Sequence, residues 1–253
     1  MANPRTDIEK YDDSRKPKNL MSILKAAVKN SPEVVTGAVG STKQQLLMIP
    51  GRLLQGARNG YFLEQLIVEI EHLKARGKID NDYLESEECQ SSLQYMLSAL
   101  ENPPVDQLKF DALKGVFLAS ALREGRPNST VKPSLLLEIT GQLSSGEIAV
   151  LAAAYKAIKK TRGESAKVMR HISVREWREL VAENSGLEAS SLVELYEKQL
   201  VDKVLLTGWI YPDQSGAKIG VKGRLTDLGL LLCEYWRAYE KIDFGSSKGG
   251  GDY

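Results

Sequence analysis

The stretch LEASSLVELYEKQLVDKVLLTGWIYPDQSGAKIGVKGRLTDLGLLLCEYW, residues 187–236, decides the fold of the C-terminal part of this chain. Its first part carries apolar residues at helical spacing, which predicts a helix over 187–203. The predicted core face of this helix consists of Leu192, Leu195, Tyr196 and Leu200. The apolar, β-favouring run 204–211 predicts a strand, the composition of 212–216 is typical of a turn, and 217–221 is the expected returning strand.

Helices are predicted on both sides of this hairpin region. Downstream, Thr226 is the expected N-cap of a helix. The buried stripe of that helix is predicted to be Leu228, Leu231, Leu232 and Tyr235. Upstream, Ser173 is expected to cap a helix that runs to Glu183, and residues 184–186 are expected to form a tight turn. The whole order, helix, turn, helix, strand, turn, strand and helix, predicts a winged-helix module.

The residues before this module have a helical pattern. Three amphipathic segments predict a helical bundle: 62–76, the segment that Ser86 is expected to cap and that runs to about 101, and 105–123, which has Leu108 on its apolar face. A helical pair over 134–142 and 145–160 follows, and Ser144 with Glu147 has the spacing of a capping box. We therefore predict a mainly α protein: a helical N-terminal region followed by a C-terminal winged-helix (α+β) module. The predicted parts are a disordered arm (1–19), a helical domain (20–161), a winged-helix-like domain (162–241) and a flexible tail (242–253).

The composition limits the classes of function. The 253 residues are 42% apolar and 26% charged, and the formal net charge of +1 gives no overall attraction to nucleic acid or to membranes. The charged N-terminus has no signal-peptide pattern and no run of about 18 to 20 apolar residues occurs, so a cytoplasmic location is expected. Cys89 and Cys233 lie in apolar helical patterns, which predicts small buried thiols in a reducing compartment.

One segment has no acidic residue. From Val34 to Leu63 the only charged residues are cations, on an apolar, glycine-containing background. This pattern is typical of a helix that binds a membrane surface or a protein partner. The predicted surface comprises Lys43, Leu46, Leu47, Ile49, Arg52, Leu53, Leu54 and Arg58. The alternative is a core helix, interrupted at Pro50–Gly51, whose few cations face water.

A second local feature is basic. Cations outnumber acids between Lys156 and Arg178, and further cations lie on or beside the predicted wing. The predicted contacts to nucleic-acid phosphates are Arg162, Lys167, Arg170, Arg175, Arg178, Lys218, Lys222 and Arg224. The alternative is a solvated helix end and a polar linker. The predicted reading helix itself, 187–203, has two Lys and four acids, a net of 2 − 4 = −2, which opposes docking on DNA.

The sequence offers no constellation for catalysis. The two histidines, His72 and His171, are distant in sequence from each other and from both cysteines, so no zinc-ligand spacing is present. No nucleophile elbow and no dinucleotide fingerprint occurs. We therefore predict a protein that is not an enzyme, with no catalytic residue, no metal and no cofactor.

The chain resembles a bacterial family of unassigned biochemistry known as abortive-infection alpha. The resemblance rests on the glycine-bearing apolar N-terminal segment, on the stretch VKPSLLLEITGQLSSGE at 131–147, and on Leu225–Gly229 (LTDLG). It covers about residues 34 to 236. The resemblance implies a role in defence against bacteriophage, and the family supplies no catalytic residues.

These observations give two expectations of function. The first is a non-enzymatic phage-defence protein that acts by binding a protein partner or a membrane surface. The second is a winged-helix DNA-binding regulator that contacts the DNA backbone through the wing and the basic linker. The sequence predicts neither the identity of a partner nor an oligomeric state.

Overall fold

A computed structural model describes residues 20, 21, 24, 25, 51–101, 105–124, 126–127, 130–163, 171–208, 210–213 and 216–238. Within these ranges, the side chains of 51–58, 101, 161–163, 211–213, 216 and 222 are not described. The protein is mainly helical, with a small antiparallel sheet near the C-terminus. It divides into two compact units, Met1–Ile67 and Val68–Tyr253. The expected arm (1–19) and tail (242–253) lie outside the described residues, and the other predicted domain bounds stay predictions.

Helix α1 (Gly51–Ala75) contains the sequence boundary between the two units, which falls after Ile67. In the first unit it buries Phe62, Leu63 and Leu66, and in the second unit it buries Ile70 and Leu73, as the helical spacing predicts. The helix ends before Gly77, whose left-handed backbone conformation (φ of 64°) suits glycine because glycine has no Cβ.

Three helices of the second unit follow: α2 (Asn81–Leu84), α3 (Glu87–Glu101) and α4 (Gln107–Ser120). The Oγ of Ser86 accepts a hydrogen bond from the backbone N–H of Cys89 at 3.1 Å, so the predicted cap of α3 is confirmed. Asp106 caps α4 in the same way, through the N–H of Lys109. One assignment was wrong, because Leu108, predicted on the core face of α4, is 42% exposed.

The predicted helical pair is also present, as α5 (Pro133–Gln142) and α6 (Ser145–Gly163). The capping box is confirmed: Ser144 donates its N–H to Glu147 Oε2 at 2.7 Å, and Glu147 donates its N–H to Ser144 Oγ at 3.3 Å. Among the described residues no single helix has the length and hydropathy to cross a bilayer. The segments Pro133–Gln142 and Ser145–Lys160 reach that hydropathy only as a pair, and they meet at 116°.

The C-terminal part contains β1 (His171–Ser173), α7 (Val174–Ser185), α8 (Ser190–Asp202), β2 (Tyr211–Asp213), β3 (Gly216–Gly220), a 3-10 helix (Val221–Gly223) and α9 (Asp227–Ala238). The sheet order is β1-β3-β2, with both pairs antiparallel. Ile172 lies opposite Ile219, and Pro212 lies opposite Ala217. Helices α7 and α8 pack against each other and against α6.

The chain between α8 and β2 differs from the prediction. Residues 204–211 were expected to form one strand, but among the described residues of this range only Tyr211 is in a strand, together with the next two residues. Val204 has a φ of 58°, a left-handed conformation that ends the helix and reverses the chain. Leu205 and Leu206 then become buried, and Leu206 pairs with Leu225 as an isolated bridge. The N–H groups of Leu205 and Leu206 donate to the carbonyl oxygen of Leu200 in α8, and the carbonyl oxygen of Leu205 accepts a hydrogen bond from the N–H of Thr226 at the start of α9.

Helix α9 begins where it was predicted. The Oγ1 of Thr226 accepts a hydrogen bond from the N–H of Gly229 at 3.0 Å, which confirms Thr226 as the N-cap. The buried face was only half predicted: Leu232 and Tyr235 are buried, whereas Leu228 and Leu231 are only partly buried. Glycine is required at 229, because a Cβ there would lie 2.1 Å from the carbonyl oxygen of Leu205.

Candidate interaction surface

The core of the C-terminal part contains a charged cluster centred on Glu197 of α8. Glu197 is 5% exposed and Arg224, at the end of the 3-10 helix, is 6% exposed. Arg224 Nη2 lies 3.0 Å from Glu197 Oε1, which also accepts a hydrogen bond from the indole N–H of Trp177. Arg224 Nη1 donates to the carbonyl oxygen of Thr207. The cluster therefore joins α7, α8 and the segment before α9 through a single carboxylate.

This cluster corrects the prediction for Arg224. That residue was expected beside the wing, facing phosphates, but its guanidinium lies in the core and its charge is balanced by Glu197. Moving it to the surface would leave Glu197 with one fewer cation in a buried site, which is unfavourable by several kcal/mol. The prediction of a surface position for Arg224 was therefore wrong, because its guanidinium is buried beside Glu197.

Two other predicted cations of α7 are engaged by acids. Arg178 Nη2 lies 2.9 Å from Glu194 Oε1, and its Nε lies 3.9 Å from Glu197 Oε2. Arg175, on the outside of the helix, donates to Glu179 one turn later at 2.8 Å, and this ion pair raises the pKa of the guanidinium. Each of these two cations therefore faces a carboxylate of the same C-terminal part.

The remaining predicted basic contacts are distributed as follows. Lys218 is half-buried on the central strand β3, opposite Ser173 and Tyr211. Arg162 lies in α6 and Lys222 in the 3-10 helix, and their side chains are not described. Lys167 and Arg170 lie outside the described residues. Four of the eight predicted positions have described side chains, and two of these, Arg178 and Arg224, meet in one cluster around the carboxylate of Glu197.

The outward face of α8 is apolar. The side chains of Leu192 and Leu195 were predicted in the core, but they are 40% and 48% exposed. The helix instead buries Val193, Glu197 and Leu200, so its core-facing side differs from the predicted one. Residues 192 and 195 are three apart and therefore lie side by side on the helix surface. We call these two leucines, with Glu188 before the helix and Asp202 at its end, the α8 strip.

Exposed apolar side chains are frequent in the sequence of α8 and the residues that follow it. Eight large apolar side chains of the described residues are exposed, and four of them, Leu192, Leu195, Val204 and Ile210, lie within 192–210. Isolated exposed leucines are ordinary on protein surfaces, but a concentration of them marks an interaction site. The strip is therefore the strongest candidate for a functional surface in the described part of the chain.

The charge of the two helices opposes a polyanion. Residues 174–203, which hold α7 and α8, contain four cations and seven acids, a net of 4 − 7 = −3. Three of the four cations, Arg175, Arg178 and Lys203, are in ion pairs. In DNA-binding modules of this order, the second helix of the pair supplies Arg, Lys, Asn or Gln to base edges. Helix α8 exposes leucine and acidic side chains and one cation, Lys198.

The C-terminal end of α8 is fixed by a second buried acid. Lys203 donates a hydrogen bond to Glu147, and its Nζ lies 3.2 Å from the carbonyl oxygen of Gln142. Burial alone would raise the pKa of the Glu147 carboxyl, but the hydrogen bonds from Lys203 and Ser144 hold that pKa below its ordinary value. This contact fixes α8 to the junction of α5 and α6, so the strip is presented on a rigid helix.

A cleft of about 660 Å³ lies beside α7, away from these contacts. Lys156 and Lys160 of α6 line one side, and acidic residues of α7, among them Glu176 and Glu183, line another. Apolar residues such as Val221 complete it. Because cations and acids line the same cleft, it is not a site for phosphate groups alone.

The structure describes only part of the predicted N-terminal surface. Lys43, Leu46, Leu47 and Ile49 lie outside the described residues. Arg52, Leu53, Leu54 and Arg58 lie in α1, but their side chains are not described. The choice between a core helix and a membrane- or partner-binding segment therefore stays open at these positions.

The described residues contain no group of three or more His, Cys, Asp and Glu side chains that could hold a metal ion. Both cysteines are buried, as predicted. Burial raises the pKa of the Cys89 thiol to about 12 and raises that of Cys233 still further from its ordinary value. Neither thiol is therefore a thiolate at neutral pH.

Comparison with known proteins adds no relative. No family model, no curated protein and no solved structure matches this chain. The resemblance to the abortive-infection alpha family therefore stays a prediction.

Proposed function

We propose that this chain is a non-enzymatic binding protein whose C-terminal part is a winged-helix module used for protein recognition. The order of elements supports the module: α6, β1, α7, α8, β2 and β3 follow the winged-helix sequence, with the first strand beside the third. Helix α6 is then the first helix of the module, because it packs on both α7 and α8.

The observation that carries the proposal is the outward face of α8. In the proposed module this helix takes the position of the reading helix, and its exposed face carries Leu192 and Leu195 with Lys198 as its one cation. When a complementary protein surface covers these exposed leucines, they lose contact with water. The free energy of binding then becomes more favourable by about 25 cal/mol per Å² of buried apolar area. Protein binding is therefore the favoured use of this surface.

The alternative, a DNA-binding regulator, has weaker support. Specific DNA binders neutralise roughly 6 to 10 phosphates. Arg224 is buried, and Arg175 and Arg178 each face an acid. Residues 174–203, which hold α7 and α8, have a net charge of −3. Backbone contact through the wing would depend mainly on Lys218, on Lys222 and on the linker cations Lys167 and Arg170.

The two functions are separated by a matched pair of variants. Leu192→Ser with Leu195→Ser removes the apolar part of the strip, whereas Leu108→Ser with Leu135→Ser removes two leucines of similar exposure on other helices. The full chain is used to capture proteins from its host, and the binding of each captured protein is then measured with purified components. We expect the first variant to lose a partner that the second retains.

A gel-shift titration with duplex DNA at low salt completes the test. No salt-dependent shift is expected. A shift that Lys218→Glu abolishes, and that the strip variant leaves unchanged, would replace the proposal with the regulator. A captured protein that binds both leucine variants equally would remove the strip as the recognition surface.

A role in phage defence is a further part of the proposal, and the family resemblance is its sole support. It is tested by plaque counts on host cells that carry the wild-type chain or either leucine variant. If defence acts through the strip, protection is lost with the Leu192 and Leu195 variant and kept with the Leu108 and Leu135 variant. Equal protection by all three chains would separate defence from this surface.

A further inference from the structure

We propose that the α8 strip recognises a partner segment in which apolar anchors are bordered by Lys or Arg, and that it does not pair with a second copy of this chain. The inference rests on the proposed function, because it names the chemistry of the partner that the strip binds. The observations that carry it are the positions and exposure of two acids at the ends of the strip.

The strip has an apolar centre and acidic ends. Helix α8 has 13 residues, which corresponds to a length of about 20 Å. Leu192 and Leu195 lie in its first half, Glu188 precedes it, and Asp202 is its last residue, with both acids exposed. Glu194 adds a third partly exposed carboxylate, 2.9 Å from Arg178. Lys198 is the one exposed cation on the helix between these acids.

Asp202 is an acid at the C-terminal end of α8, where helices favour cations. The carbonyl groups at a helix C-terminus carry partial negative charge and favour cations in the last turn. The last turn of α8 has no basic residue, and it ends on an aspartate. Lys203, directly after it, is directed to Glu147. The position of Asp202 is therefore unfavourable within the helix, whereas an external cation would be stabilised by both the carboxylate and the helix end.

The acids oppose a second copy as the occupant, because the two of them outnumber Lys198, the cation between them. If two α8 helices pair in opposite directions, Glu188 of each lies beside Asp202 of the other. If they pair in the same direction, each acid lies beside itself. Like charges at close range oppose association in both arrangements. A segment with Lys or Arg at the same positions removes this repulsion and gains ion pairs at the rim, while its apolar anchors cover Leu192 and Leu195.

The test uses three synthetic helical peptides with one leucine face and with Lys, Gln or Glu beside it. Binding to the full chain is measured by fluorescence anisotropy. We expect the Lys peptide to bind about threefold to tenfold more tightly than the Gln peptide, since exposed ion pairs are individually weak, and the Glu peptide to bind least. The Lys preference should fall away at about 0.5 M salt, where the Debye length is only a few Å.

Two variants assign the effect to the strip. Glu188→Gln with Asp202→Asn should abolish the preference for Lys over Gln and keep the binding itself. Leu192→Ser with Leu195→Ser should abolish binding of all three peptides, and Leu108→Ser with Leu135→Ser should change none. Sedimentation equilibrium of the wild-type chain should show no self-association that depends on Leu192 and Leu195.

The outcomes separate this inference from the proposed function. Equal binding of the Lys and Gln peptides, or no binding of any peptide, overturns the basic partner, while capture of a host protein through the strip would still support the proposed function. Self-association lost with Leu192 and Leu195 also overturns the inference, since a second copy would then be the occupant. If the Lys peptide still binds the Leu192→Ser, Leu195→Ser variant, the peptide is bound elsewhere on the chain. This result also overturns the inference.

Discussion

Replacement of Glu197 by Gln is the most direct test of the structure. The carboxylate is 5% exposed, and it balances Arg224, which is 6% exposed. Glutamine keeps the shape and can still accept a hydrogen bond from Trp177, but it removes the only acid within 4 Å of the Arg224 guanidinium in the described structure. An uncompensated buried charge of this kind costs about 3 to 5 kcal/mol.

Urea unfolding followed by circular dichroism measures this loss. With a slope of about 2 kcal/mol per molar urea, a cost of about 4 kcal/mol lowers the unfolding midpoint by about 2 M. Glu194→Gln is the matched control on the same helix. Its carboxylate is 59% exposed and pairs only with Arg178, so we expect a change below about 1 kcal/mol.

A double substitution tests the cause. Glu197→Leu with Arg224→Met removes both charges together, and buried ion pairs replaced by apolar residues of similar size are often neutral in stability. We therefore expect the double variant to be more stable than Glu197→Gln alone. Two results would refute the reasoning: a midpoint for Glu197→Gln equal to that of Glu194→Gln, or a double variant that is less stable than Glu197→Gln.

Three further predictions concern stability and reactivity. Gly229→Ala should lower the free energy of unfolding in urea by about 1 to 3 kcal/mol, because the new Cβ meets backbone atoms of Leu205. Gly223→Ala is the control and should have little effect, because a Cβ at this position has no neighbouring atom within 4 Å. Glu147 has a pKa below its ordinary value in the folded state, so its stabilisation is present at neutral pH and is lost as pH falls through that depressed pKa. Unfolding midpoints compared at pH 7 and pH 3 should therefore differ less in Glu147→Gln than in the wild type. Cys89 and Cys233 should resist iodoacetamide at pH 8 in the folded chain and react in denaturant, as mass spectrometry will show; rapid native labelling would contradict their burial.

Local signals in the sequence were sufficient for the helix starts. Ser86, Ser144, Ser173 and Thr226 were predicted as caps from residue type and spacing alone, and each accepts the expected hydrogen bond. Capping depends on atoms within three residues, so the sequence contains all of the information. The mainly helical character and the turn at Gly186 were predicted for the same reason.

The outward face of α8 could not be predicted in this way. Counting apolar residues placed Leu192 and Leu195 inside, because a buried glutamate has no apolar signal. The core-facing side is set by Glu197, and Glu197 can be buried only because Arg224, 27 positions later, is buried with it. Periodicity describes one helix at a time, whereas this ion pair depends on the tertiary fold. Both the exposed leucines and the loss of Arg224 as a surface cation follow from that one pair.

The backbone at Val204 has a consequence for how this protein can evolve. Two other helices of the described chain end near a left-handed residue, and both use glycine, at Gly77 and Gly186. Val204 adopts the same conformation with a branched side chain, at an energetic cost on the order of 1 to 3 kcal/mol, and that side chain is 63% exposed. Selection for stability alone would favour glycine at this position. Val204→Gly would therefore relieve this backbone strain without removing a buried side chain, so position 204 can change to glycine without a cost to the core.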